Sequence, residues 1–112
     1  SIVTIMLENA GFNVINLGTD VHPDKFIEVA EAEKADLVGF SALLSTTVYY
    51  QQVTIEEFQK AGHRDKVHIF VGGAPTTQDW ADQCGADGWG VDAVQAVRLA
   101  LDLVKEPREA WA

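Results

Sequence analysis

Short apolar strands and longer amphipathic helices alternate along this sequence, and that alternation leaves few folds open to it. Residues from about Ile2 to Ala10 read as a helix, with Ile2, Val3, Met6 and Ala10 as its apolar stripe and Gly11 as its stop. Asn13–Leu17 reads as a short strand. Pro23 opens a second helix at the turn where its missing N–H costs nothing, with Phe26, Ile27 and Ala30 on the inner face. Asp36–Phe40 is a nearly continuous apolar strand, as a strand covered on both faces requires. Thr47–Ala61 is the third helix, ended by Gly62, and Val67–Val71 the next strand. Thr76 is placed to cap a fourth helix, with Asp79 favouring its N-terminal dipole and Gly85 ending it. A very short strand follows near Gly88-Trp89. Asp92 then starts the last helix, with Val94, Val97, Leu101 and Val104 on one face, Ala93 and Ala100 alongside, and Pro107 after it.

The pattern predicts an α/β fold, a doubly wound, flavodoxin-like (Rossmann-like) parallel sheet with strand order 2-1-3-4-5. Residues 1–106 make one domain and residues 107–112 a C-terminal tail. Such a domain begins with a strand before its first helix, whereas this chain starts inside that helix. The first strand and the start of the first helix are therefore expected upstream. That strand belongs between the strands at Asn13 and Asp36, so its loss leaves a gap inside the sheet with unpaired backbone groups on both sides. Each buried unpaired group costs about 1–3 kcal/mol, against the roughly 5–15 kcal/mol that stabilises a typical domain. An isolated, properly folded monomer is not expected. Either the upstream peptide stays associated after a cut, or a second copy lends a strand, or the upstream residues exist and lie outside these 112 residues.

Apolar residues make up 47% of the chain, which argues against a disordered tail. The formal charge of −9 argues against nucleic acid, which is held by clustered Lys and Arg, and against anionic membranes. No apolar run approaches the length of a membrane span, and the first residues lack the basic flank and cleavage site of a signal peptide. The single cysteine, Cys84, forms no intrachain disulfide and builds no cysteine-based zinc site, which fits a cytoplasmic protein.

Ligands of open α/β sheets bind at the carboxyl ends of the strands. Four segments occupy such ends: Gly18–Val21, Ser41–Thr47, Gly72–Thr76 and Trp89–Asp92. In the second, Ser41, Ser45, Thr46 and Thr47 surround two leucines, a mixture that can hydrogen-bond a polar ring edge while packing its flat faces. The simpler role for Thr46 or Thr47 is to cap the following helix. Gly72-Gly73 removes side chains at a strand end, so that a flat ligand or a phosphate can approach the backbone, or it makes an ordinary tight turn. Trp89 either walls a pocket or belongs to the core. His22, His63 and His68 show no metal-ligand spacing, and His63 sits in a charged turn where solvation is expected. No catalytic pair is suggested, so the residues describe a binding module.

Ser41-Ala42-Leu43 followed by Gly72-Gly73 carries a resemblance to cobalamin-binding domains. Those share an Asp-x-His-x-x-Gly motif, then a Ser-x-Leu, then Gly-Gly. The 28 residues from 44 to 71 fit the second interval, and counting the first interval back from Ser41 ends just before Ser1. Ser41–Thr47, Val71–Thr77, Met6–Phe12 and Gly85–Trp89 resemble the corrinoid proteins of methylamine, methanol and methoxy-aromatic methyltransferase systems, and the resemblance runs to about Val104. It implies cobalamin as cofactor, with its dimethylbenzimidazole tail in a slot between Ser41-Ala42-Leu43 and Gly72-Gly73. Ser41 would hydrogen-bond a ring nitrogen; Leu43, Thr46, Ala74 and Trp89 would shape the slot; Gly72 and Gly73 would admit the tail. The family's axial histidine is expected upstream of Ser1, so no metal ligand is assigned here, and His22 is not a substitute.

The resemblance further implies a non-catalytic carrier subunit that shuttles a methyl group between methyltransferase partners. Within binding proteins the alternative is the cobalamin domain of a mutase, a methionine synthase or a cobalamin-dependent sensor; the Gly-Gly-Ala-Pro wording favours the methyl carriers. A receiver domain of the response-regulator kind has the same fold but needs an aspartate ending its third strand, where this chain has Phe40-Ser41. A flavin carrier needs a phosphate loop after its first strand, which this sequence does not show.

Overall fold

Three strands, β1 (Leu37–Ser41), β2 (His68–Gly72) and β3 (Gly88–Gly90), pair in parallel in the order β1-β2-β3. The register runs from Leu37 opposite His68 to Ser41 opposite Gly72, and from Phe70 opposite Gly88 to Gly72 opposite Gly90. Helix α1 (Pro23–Glu33) precedes β1, α2 (Tyr49–Lys60) joins β1 to β2, α3 (Gln78–Cys84) joins β2 to β3, and α4 (Ala93–Leu103) follows. The computed structural model describes residues 8–9, 11–15, 22–41, 48–106 and 108–111. Most of the expected helix at 2–10 thus lies outside the described residues. Its residues 8 and 9 are helical, and Gly11 follows with φ +99° and its N–H on Glu8 O.

Three of the helices begin or end on residues whose local chemistry marks a boundary. Pro23 takes the first helical position of α1, and the His22 ring accepts the Asp24 N–H through Nδ1 at 3.2 Å. Gly85 closes α3 in the left-handed conformation, and Asp92 caps α4 by accepting the Gln95 N–H at 2.9 Å.

Alternation along the strands serves two faces. Val38, Phe40, Ile69 and Val71 pack with Ala30, Ile55, Phe58, Ala81 and Cys84 under α1, α2 and α3. On the opposite face Phe70 packs with Ala96 and Leu103, joined by Leu37 and Leu99. Ile55 and Phe58 are fully buried, worth about 1.5–3 kcal/mol each. Three glycines permit this fit. A Cβ on Gly39 would lie 2.5 Å from the Phe70 ring, one on Gly88 2.7 Å from Leu99, and one on Gly90 3.0 Å from the Ala96 backbone.

That close approach explains why the dominant aliphatic stripe of the last helix is not the one that packs on the sheet. Small Ala96 packs on Gly90 of β3, Leu103 clusters with Phe70 of β2 and Ala100 is buried, while Val94, Leu101 and Val104 stay exposed. A second difference concerns Asn13–Leu17. Residues 13–15 pair with no strand among the described residues, and residues 16–17 lie outside the described residues. A strand needs a neighbouring edge to bond to, and Phe12, Asn13 and Ile15 line a groove of about 380 Å³ together with Leu37 and Val38.

At the amino ends of the strands a polar cluster ties the C-terminal residues down. Asp87 accepts from Ile69 N–H at 2.8 Å, Arg64 at 3.1 Å and Arg108 at 2.7 Å. Arg108 also donates to Nδ1 of buried His68, whose Nε2 pairs with Glu106 O at 2.6 Å; the partners therefore fix the Nε2–H tautomer. Trp111 donates to Ala35 O at 2.9 Å and packs at a tilt against His63, with ring centroids 4.9 Å apart. His63 is thus covered by Trp111 and paired with Glu31 at 3.3 Å, not solvated in a turn. Among the described residues no helix is long and apolar enough to cross a membrane.

Candidate functional site

The register brings Ser41, Gly72 and Gly90 into one row across the carboxyl edge of the sheet. Ser41 ends β1 with its side chain exposed. A Cβ on Gly72 would sit 3.1 Å from Gly90 O, so a side chain there would be tight and glycine keeps the edge bare. Gly73 has φ +112°, a conformation other residues rarely adopt. From Gly73 the chain turns through Ala74 and Pro75, closed by the Thr76 N–H on Gly73 O at 3.0 Å.

Thr76 holds this turn in a way the sequence did not suggest. Its hydroxyl donates to Gly73 O at 2.6 Å and accepts the indole N–H of Trp89 at 3.0 Å. The cap of α3 is its neighbour Thr77, which accepts the Trp80 N–H at 3.0 Å from an extended backbone. Thr76 is buried and its oxygen already engaged, so it has no capping role.

Gln51 was also missed. It is 4% exposed, on the inner side of α2. Its amide nitrogen lies 3.4 Å from Phe40 O and 3.3 Å from Gly72 O, and its amide oxygen accepts from Trp80 Nε1 at 2.8 Å. The signal was present in the spacing: Gln51, Thr54, Ile55 and Phe58 follow the i, i+3, i+4, i+7 pattern of a buried helix face.

Of the residues expected to shape a slot, the structure brings Ser41 and Gly72 side by side and places Gly73, Ala74 and Trp89 around the adjoining turn. Ala74 is exposed and Trp89 half-buried against the core. Leu43 and Thr46 lie outside the described residues. Ser41, Gly72, Gly73, Ala74, Thr76, Trp89 and Gln51 are all uncharged, so the site offers shape and hydrogen bonds. No group of three or more His, Cys, Asp or Glu that could hold a metal occurs among the described residues. Cys84 is buried, and burial pushes its thiol pKa up, which makes it a poor nucleophile.

A parallel sheet flanked by helices, with bare backbone and an open hydroxyl at its carboxyl edge, defines an α/β ligand-binding domain of the open-sheet class. The B12 binding domain model matches residues 1–98, and the chain belongs to that family. It is 47% identical over 104 residues to a dimethylamine corrinoid protein of Methanosarcina barkeri, covering 93% of this chain and 49% of that protein. The monomethylamine corrinoid protein of Methanosarcina barkeri superposes with a TM-score of 0.87 at 33% identity, over 91% of this chain and 49% of that one. A chain of the methanol:cobalamin methyltransferase complex MtaBC from Methanosarcina barkeri gives 0.86 at 27% identity, over 97% of this chain and 42% of that one. This chain spans about half the length of these relatives.

The residues present fit a flat heteroaromatic group such as the nucleotide tail of cobalamin. The two glycines leave the edge bare where a Cβ would crowd Gly90 O or strain the backbone. Beside them Ser41 offers a hydroxyl able to donate to a ring nitrogen.

Proposed function

We propose that this chain is the cobalamin-holding part of a cytoplasmic methyl-carrier corrinoid protein. In this reading it passes a methyl group from a substrate-specific methyltransferase to a methyl-accepting one. The observation that carries the reading is the Ser41–Gly72–Gly90 row, with Gly73 turning away from it at φ +112°. Similarity to corrinoid proteins of methylamine systems and to a chain of a methanol:cobalamin methyltransferase complex supports the carrier role. When bound, the corrinoid supplies a cobalt that takes up and releases the methyl group.

The chain's own residues bind and orient. Ser41 would donate a hydrogen bond from its hydroxyl to a nitrogen of the tail's ring. Gly72 and Gly73 would admit the ring against bare backbone, and Ala74 and Trp89 would shape the side of the slot; Leu43 and Thr46 are assigned to it by the resemblance alone. Trp89 contributes its ring face, because its N–H is already given to Thr76. None of these groups moves a proton in the transfer, as a carrier subunit requires. Reconstitution with cobalamin, followed by removal of free corrinoid, tests the first half: a coloured protein with one corrinoid per chain is expected, and a colourless one sinks the reading. Methyl uptake from a methylamine- or methanol-type methyltransferase tests the second half. A loaded protein that accepts no methyl group from either overturns the carrier role.

A further inference from the structure

We infer that Gln51 is a positioning residue that sets the slot for the cofactor tail, an assignment that rests on the reading above. The two carbonyls its amide reaches are special in where they lie. Phe40 C=O belongs to the peptide that leads into Ser41, and Gly72 C=O to the peptide that leads into Gly73. One side chain therefore holds both peptide planes that form the two sides of the slot. The orientation of the amide is fixed by chemistry. Trp80 Nε1 is a donor only, so the atom facing it must be the amide oxygen, and the NH₂ must face the two carbonyls.

Gln51 thus links β1, β2 and α3 at the carboxyl edge, where the Ser41–Gly72 pair ends the β1/β2 register. Nothing in the hydrophobic core calls for an amide at that place, since Ile55 and Phe58 on the same face already supply the packing. The contacts at 3.3 and 3.4 Å are at the long end of hydrogen bonding. Their effect is on the spacing of the slot and less on the bulk stability of the sheet. A residue acting this way matters to a ligand with a nucleotide tail and not to one without it.

The test compares cobalamin with cobinamide, a corrinoid that lacks the tail, in absorbance titrations of the wild-type chain, Gln51→Met and Trp80→Phe. The wild type is expected to prefer cobalamin. Gln51→Met, similar in volume but unable to donate, should weaken cobalamin binding by about tenfold while leaving cobinamide within about twofold. Trp80→Phe, which frees the amide oxygen, should erode the same preference. Equal weakening for both corrinoids would mean a merely structural role and would overturn the inference, as would a folded Gln51→Met that keeps the wild-type preference. If Gln51→Met does not fold, Trp80→Phe decides: an intact preference overturns the inference, and a reduced one supports it. A wild type with no preference for cobalamin would instead refute the tail slot itself.

Discussion

The indole N–H of Trp89 donates to the Thr76 hydroxyl at 3.0 Å, and through that oxygen β3 is tied to the turn that begins at Gly73. Trp89→Phe keeps the ring and removes the donor. The hydroxyl, in a residue only 5% exposed, then keeps one partner instead of two. A stability loss of about 1 kcal/mol is expected, read as a lower thermal midpoint. Cobalamin affinity should fall with it, because the turn is less firmly held. An unchanged melt would show that the bond contributes nothing to the fold.

Gly72 and Gly73 should respond differently to the same substitution. Gly72→Val places a branched side chain at the row with Ser41 and Gly90, so cobalamin binding should weaken at least tenfold, about 1.4 kcal/mol. Gly73→Val must also force valine into φ +112°, a strain of about 1–3 kcal/mol that appears in unfolding even without ligand. Denaturant melts of the two apo variants, set beside their titrations, separate strain from blockage. Unchanged cobalamin affinity in folded Gly72→Val would remove the glycines from the slot.

Cys84 reports on opening of the core. Its burial disfavours the thiolate, so the folded thiol keeps its proton to higher pH than the unfolded one. Its contribution to stability is therefore fully present below the ordinary thiol range, near about 8.5, and fades as pH rises through the higher range of the folded thiol. A thiol-specific reagent should label native protein far more slowly than denatured protein at the same pH. Equal rates would mean that Cys84 is not packed against Ala81 and its neighbours.

Much of this architecture is legible in the residues because two periods do not overlap. The buried strands at Leu37–Phe40 and Val67–Val71 are too short and too apolar for surface helices, and Pro23, Gly85 and Asp92 mark helix ends by their own backbone chemistry. The relation of Ser41 to Gly72 follows once those strands are neighbours. What escaped depends on contacts between distant segments. The buried face of α4 is chosen by Gly88 and Gly90 on another element, the fate of Thr76 by Trp89, and the cover over His63 by Trp111. Gln51 escaped for a different reason: a glutamine on an apolar spacing reads as an interruption until its two carbonyl partners are known.

Amide exchange should rank the strands by how completely they are paired. β2 has partners on both sides, and Ile69 and Val71 are fully buried, so their amides should exchange only through global unfolding. β1 is bonded on one side among the described residues, and its other edge faces the groove that contains Leu37 and Val38. Alternate backbone groups of β1 point toward that groove, where water can reach them. Those amides should exchange well before the β2 amides, through local openings that cost less than unfolding. The comparison also reads what happens at the edge in solution. If the outward amides of Leu37–Ser41 prove as slow as those of β2, something pairs with that edge, and exchange measured over a dilution series separates the two candidates. Protection that falls on dilution means a second copy supplies the pairing, whereas protection that persists means the pairing lies within the folded unit itself.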